Sequence, residues 1–121
     1  MKKILLLITL FIISCNVMAQ NKKVTRIARL TIDSLQLKAY SVLLKEQMET
    51  AVKLEKGVVS YTVYADKTEP YKLTIVEVYA DNESYSAHRE TAHFKKYKEA
   101  TKQMVKSLEL SEVVPFLSAT K

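Results

Sequence analysis

His88 and His93 are the only imidazoles in this chain. They fall in the stretch Glu77 to Tyr97, EVYADNESYSAHRETAHFKKY, with a carboxylate set in an apolar strand, Glu77, and the phenols Tyr79, Tyr85 and Tyr97. Imidazole titrates near neutrality and can take up and return a proton; a carboxyl group moved by burial can do the same, and a neighbouring phenol can share that proton. The chemistry available at this strand-to-helix junction is therefore proton handling. His88 follows Tyr85 by one helical turn and shares its face, either as a general base or as a ring packed under the helix with one hydrogen bond. His93 can orient His88 or cap a restarted helix. Glu77 shares a strand face with Leu73, Ile75 and Tyr79, as an acid at a pocket mouth or as half of an ion pair with Arg26, Arg29 or Arg89. Tyr64, Phe94 and Tyr97 are core aromatics that can also line a pocket.

The residues that are absent exclude several function classes. A single glycine, Gly57, cannot build a phosphate-cradling loop, so a nucleotide-fold enzyme is ruled out. The single cysteine, Cys15, lies in the leader, which removes disulfides, iron–sulfur ligation and thiol nucleophiles from the folded part. Histidines five residues apart on an ideal helix diverge by roughly 140°. They would meet at a metal only if the backbone broke between them, and spacing marks no third ligand, so no metal is expected.

Residues 1–19 read as a signal peptide: Lys2 and Lys3, an apolar run from Ile4 to Ile13, then Val17-Met18-Ala19 before Gln20. The run is shorter than the roughly 20 residues of a spanning helix. An exported, periplasmic protein is expected. The competing Ile12-Ile13-Ser14-Cys15 resembles a lipobox and would instead give a lipoprotein anchored to the membrane through Cys15. The whole chain carries +6, and loss of Lys2 and Lys3 leaves +4. Lys95, Lys98, Lys102 and Lys106 recur at helical spacing opposite Phe94, Tyr97, Thr101 and Met104. That is a solvated face behind a buried stripe, with no nucleic-acid motif beside it.

About 100 residues remain for one domain, ordered strand, helix, strand, strand, helix, strand. The first strand covers about Val24 to Ile32. Asp33 and Gln36 have capping-box spacing, and Leu37, Tyr40, Leu44, Met48 and Ala51 form a helical stripe that Gly57 stops. VVSYTVYA and KLTIVEVYA flank a turn containing Pro70 and make an antiparallel hairpin. Asp81 caps a helical segment that breaks near Thr91 and restarts towards Val105; a last strand spans about Leu108 to Phe116, with Pro115 placing its end at an edge. The hairpin strands are apolar on both faces, Val59, Tyr61 and Val63 alternating with Val58 and Tyr64. Two helices can cover one face only, so the other predicts a homodimer with sheets packed face to face.

The order of elements, the EKGVVSYTVYAD segment, and a strand ending in Glu and an aromatic before AHRETAHFKKY resemble the antibiotic biosynthesis monooxygenase (ABM) family, specifically its quinol-monooxygenase-like members. The resemblance covers about Val24 to Phe116, giving a domain at 24–117. It implies an α+β, ferredoxin-like domain: a four-stranded antiparallel sheet with helices on one face, dimerising into an α+β barrel. It also implies oxidation of quinol or polyphenol-type aromatics by O2 without flavin, haem or metal, so no cofactor is expected. On this basis His88, Glu77 and Tyr79 are the catalytic candidates, and His93, Phe94, Tyr97, Tyr64 and Tyr85 the substrate-binding ones. Tyr79 stands where many relatives carry Trp. Haem-degrading relatives have a tryptophan at the position of His88 and a histidine about where Lys98 stands, and this chain has no Trp. An isomerase of the same fold, or a periplasmic module that binds small hydrophobic aromatics without turnover, are the alternatives.

Overall fold

The computed structural model describes residues 22–121, so the signal-peptide and lipobox readings lie outside the described residues. The elements are β1 (Val24–Ile32), α1 (Leu37–Leu54), β2 (Val58–Ala65), β3 (Lys72–Tyr79), α2 (Asn82–Glu90), α3 (Ala92–Thr101) and β4 (Val105–Val113). The strands form one antiparallel sheet in the order β2-β3-β1-β4. This is the ferredoxin-like α+β arrangement that the family resemblance implies.

Strand alternation divides the sheet into two faces. Val24, Ala28, Leu30 and Ile32 of β1 and Leu73, Ile75 and Tyr79 of β3 are buried under the helices. Against them α1 sets Tyr40, Leu44, Gln47 and Ala51, a stripe at helical spacing, and α3 sets Tyr97 and Thr101. The hydroxyls of Tyr40 and Tyr97 hydrogen-bond each other inside this core, which satisfies both polar tips where water cannot reach. The β2–β3 turn is held by Asp66, whose Oδ1 accepts from the backbone N–H groups of Thr68 and Glu69 at 2.9 and 2.7 Å.

Four local expectations are corrected by the coordinates. The capping box before α1 is replaced by a short 3-10 turn at Ser34–Gln36, where Asp33 accepts from Leu35 N–H and the Gln36 side chain donates to Asp33 Oδ2, both at 3.1 Å. Gly57 does not stop α1, which ends at Leu54 with Glu55 already extended, and its φ is not positive. Its need is steric: a Cβ there would lie 2.1 Å from Ser84 Oγ and 2.3 Å from Ser84 Cβ, so the absence of a side chain lets α2 approach the start of β2. Third, strict alternation fails in β2. Val58 opposes Tyr79 while Ser60 opposes Val78, a bulge that returns Val58 to the buried face with Tyr61 and Val63. Finally, β4 runs Val105–Val113 rather than to Phe116. A turn with Met104 N–H on Thr101 O, together with Asp33 N–H on Met104 O, both at 2.8 Å, starts the strand early and leaves Pro115 beyond it.

The break between α2 and α3 is where the sequence placed it. Thr91 is extended (φ −66°, ψ 148°); its Oγ1 donates to His88 O at 2.7 Å and accepts from Phe94 N–H at 3.3 Å, ending one helix and capping the next. Asp81 caps α2 by accepting from Ser84 N–H at 2.7 Å.

Candidate active site

Helices α2 and α3 leave the β4 side of the sheet uncovered. Leu108 and Leu110 pair with Leu30 and Ala28 and point to the helix side, yet stay exposed. The gap is a cleft of about 420 Å³ between sheet and helices, a size suited to a small organic molecule. Its walls are aromatic and aliphatic, Tyr61, Tyr85, His88, Phe94 and Tyr97 facing Ala28, Ile75, Leu108 and Leu110; Arg26, Glu77, Arg89 and Lys98 supply its charged groups.

Glu77 sits on the cleft-facing side of β3, between Tyr61 of β2 and Arg26 of β1 in register. The expected ion pairs do not involve it. Arg26 reaches Glu112 at 3.5 Å and Arg29 reaches Glu109 at 3.7 Å, while Arg89 lies over the Tyr85 ring at 5.6 Å. The partner of Glu77 is Tyr79, whose O–H donates to Oε2 at 3.0 Å. Burial first, and the Glu77 charge second, push the Tyr79 and Tyr61 phenols well above the usual range. Both stay protonated donors, so Glu77 is the acceptor that faces the cleft.

His88 is buried, with its ring among Tyr61, Tyr79 and Phe94 at centroid distances of 6.4, 5.3 and 4.8 Å. Both of its nitrogens face protein groups. Nδ1 lies 3.0 Å from each oxygen of Glu55, and Nε2 lies 3.4 Å from the amide nitrogen of Gln47. With Nδ1–H donated to Glu55, the Gln47 amide donates to Nε2, and no lone pair is left for a substrate. Of the two readings the sequence left open for His88, this is the geometry of the packed, hydrogen-bonded ring, and the ring contributes wall to the cleft.

Tyr85, Phe94 and Tyr97 line the cleft as expected, and Tyr79 stands behind Glu77 rather than in the lining. His93 does not line it either; its Nε2 is 2.7 Å from Glu55 Oε2. Tyr64 is a correction. It opposes Thr74 on the outer face of the sheet, 59% exposed, because strand alternation turns it away from Tyr61 and Val63. Tyr61 is the β2 phenol that reaches the cleft, and the alternation legible in VVSYTVYA could have separated the two. Glu55 was missed altogether. Nothing in its spacing ties the end of α1 to histidines more than thirty residues on.

The fold and cleft together define a ferredoxin-like α+β domain with an aromatic-walled pocket under its sheet. Its sequence matches the antibiotic biosynthesis monooxygenase family model over residues 23–100, and the chain belongs to that family. Among solved structures it is similar to a protein from Bacteroides thetaiotaomicron named a putative antibiotic biosynthesis monooxygenase, with 41% identity over 83% of this chain and 95% of that one, TM-score 0.78. A protein from Lactobacillus acidophilus named a putative monooxygenase is 30% identical over 79% of this chain, TM-score 0.76, and the match spans 46% of that longer chain. A Nitrosomonas europaea protein at 17% identity, covering 78% of this chain and 88% of its own with TM-score 0.70, shares the fold. Comparison with curated proteins gave no significant match.

Proposed function

We propose that this chain is a cofactor-independent monooxygenase that oxidises quinol or polyphenol-type aromatics with O2. The observation that carries the reading is a carboxylate, Glu77, in the wall of an aromatic cleft of about 420 Å³. The ring of a phenolic guest fits between Tyr85, Phe94 and Leu110, with its hydroxyl on Glu77. Transfer of that proton to Glu77 makes a phenolate, a stronger reductant than the phenol. The anion gives one electron to O2, the radical pair combines into a C–O bond, and the ring-bound peroxide loses water. The substrate gains one oxygen atom as a quinone carbonyl and loses two hydrogens, which leave with the second oxygen as water. The protein supplies orientation, a proton acceptor and exclusion of water. Tyr79 holds the Glu77 carboxylate in place, and His88 holds the wall.

We further infer a homodimer formed through the outer face of the sheet, supported by the exposed Tyr64 and Val59. Export by way of residues 1–19 is proposed from the leader sequence alone, with anchoring through Cys15 as its variant.

The test is oxygen uptake with a panel of quinols. Wild type accelerates uptake with at least one of them, and Glu77→Gln lowers the rate about a hundredfold or more, the usual weight of a positioned base. If no quinol is consumed faster with protein than without, the reading fails; tight binding with no oxygen consumption selects the binding-module alternative.

A further inference from the structure

We propose that Glu55, His88 and His93 form a binding site for a divalent first-row transition cation of the zinc type, behind the cleft wall. Three helix ends deliver the ligands: Glu55 just past α1, His88 in the last turn of α2 and His93 in the first turn of α3. The extended backbone at Thr91 re-aims α3, so that histidines which would diverge on one continuous helix converge instead. The donor atoms all lie within 4.8 Å of one another, with Glu55 Oε2 at 3.0 Å from His88 Nδ1 and 2.7 Å from His93 Nε2.

Nitrogen and oxygen ligands of a tetrahedral zinc stand about 2.0–2.2 Å from the ion, hence about 3.3 Å from each other. The two contacts to Glu55 need to open by roughly half an ångström to reach that spacing, and the two imidazole nitrogens, which lie within 4.8 Å of each other, need to close towards it. Two imidazoles and one carboxylate favour Zn2+, Co2+, Ni2+ or Fe2+ over the oxygen-seeking Mg2+ and Ca2+. Glu55 and His93 are 13% and 18% exposed, which leaves a way in from outside. A void of about 20 Å³ lined by His93 and Gln47 has room for one water beside the site.

A second observation points the same way. Gln47 Oε1 is buried with no hydrogen-bond partner, while the nitrogen of the same amide faces His88 Nε2. Turning that amide gives Oε1 the proton of Nε2, the tautomer of His88 in which Nδ1 is bare. A bare Nδ1 facing a carboxylate calls for a positive charge between them, a proton or a metal ion, and the shifts of the ring nitrogens under Zn2+ separate the two. The resulting amide–histidine–metal–carboxylate arrangement is the usual support of a metal-bound histidine. Neither Glu55 nor His93 lines the cleft, so the ion would tie the three helix ends together and fix the His88 ring without touching a guest.

Chelator-stripped protein titrated with Co2+ is the test. An equimolar end-point with the intense visible absorption of tetrahedral cobalt, reversed by Zn2+, is the expected result. Glu55→Gln and His93→Ala should each weaken binding at least about tenfold, with far-ultraviolet circular dichroism confirming that both remain folded. Should either variant unfold, nitrogen NMR of the wild-type imidazoles decides: Zn2+ must move His88 Nδ1 and His93 Nε2 to metal-bound shifts. No Co2+ binding, equal binding in folded variants, or ring shifts unchanged by Zn2+ would each overturn the site and leave a purely hydrogen-bonded cluster.

Discussion

Replacing Gly57 by alanine tests how the cleft wall is positioned. The added Cβ would sit 2.1 Å from Ser84 Oγ and 2.3 Å from Ser84 Cβ, while Ser84 Cα would be 3.4 Å away, an ordinary contact. Rotating the serine hydroxyl removes the first clash and leaves the second, because Cβ is fixed by the backbone of α2. The helix or the β2 entry must therefore move by about an ångström, and overpacking of this kind costs about 1–3 kcal/mol. In a domain of about 100 residues each kcal/mol lowers Tm by about 4–8 °C. The assay is thermal and urea unfolding of wild type, Gly57→Ala, Ser84→Gly and the double variant. Ser84→Gly alone loses about 0.5 kcal/mol of helix propensity, but in the double variant it removes the clashing atom, so the two changes should couple favourably by about 1 kcal/mol or more, within the usual range for contacting pairs. Because Ser84 lies one turn ahead of His88, Gly57→Ala should also weaken binding of aromatic guests in the cleft. Additive effects, or a Gly57→Ala protein as stable as wild type, would refute the close-approach account.

Other outcomes follow from the same coordinates. Tyr40→Phe should cost about 1–3 kcal/mol in urea unfolding, because it strands the buried hydroxyl of Tyr97 without its partner. Burial raises the phenol pKa values of Tyr40, Tyr61, Tyr79 and Tyr97. The unfolded chain ionises these groups first, so the stability tied to them is whole below the ordinary phenol range and falls as pH rises above about 10. An ultraviolet titration should find these phenols un-ionised until the fold is lost, and smooth reversible ionisation of all seven tyrosines in folded protein would contradict their burial. Tyr61→Phe should change the KM for a quinol while Tyr64→Phe does not, since only Tyr61 lines the cleft; the reverse order would restore Tyr64 to the site. Asp81→Ala should lower stability by about 0.5–2 kcal/mol through loss of the α2 cap.

The sequence by itself determined the elements and their layering. Period-two apolar runs in VVSYTVYA and KLTIVEVY, the helical stripe from Tyr40 to Ala51, the Asp81 cap and the break near Thr91 are local signals, and each acts within a few residues of where it is written. That Glu77 and the aromatics Tyr85, Phe94 and Tyr97 face the space between sheet and helices was legible for the same reason, since strand and helix periodicity fix the side they face. What tertiary structure alone decided is whatever depends on two distant segments meeting. The bulge at Val58, the contact of Gly57 with Ser84 and the meeting of Glu55 with His88 and His93 arise from packing between α1, α2 and the sheet, and no spacing along the chain encodes them. The role of His88 turned on this. An imidazole's chemistry is set by what its two nitrogens touch, and both partners, Gln47 in α1 and Glu55 just past its end, lie on the other side of the β2–β3 hairpin in sequence.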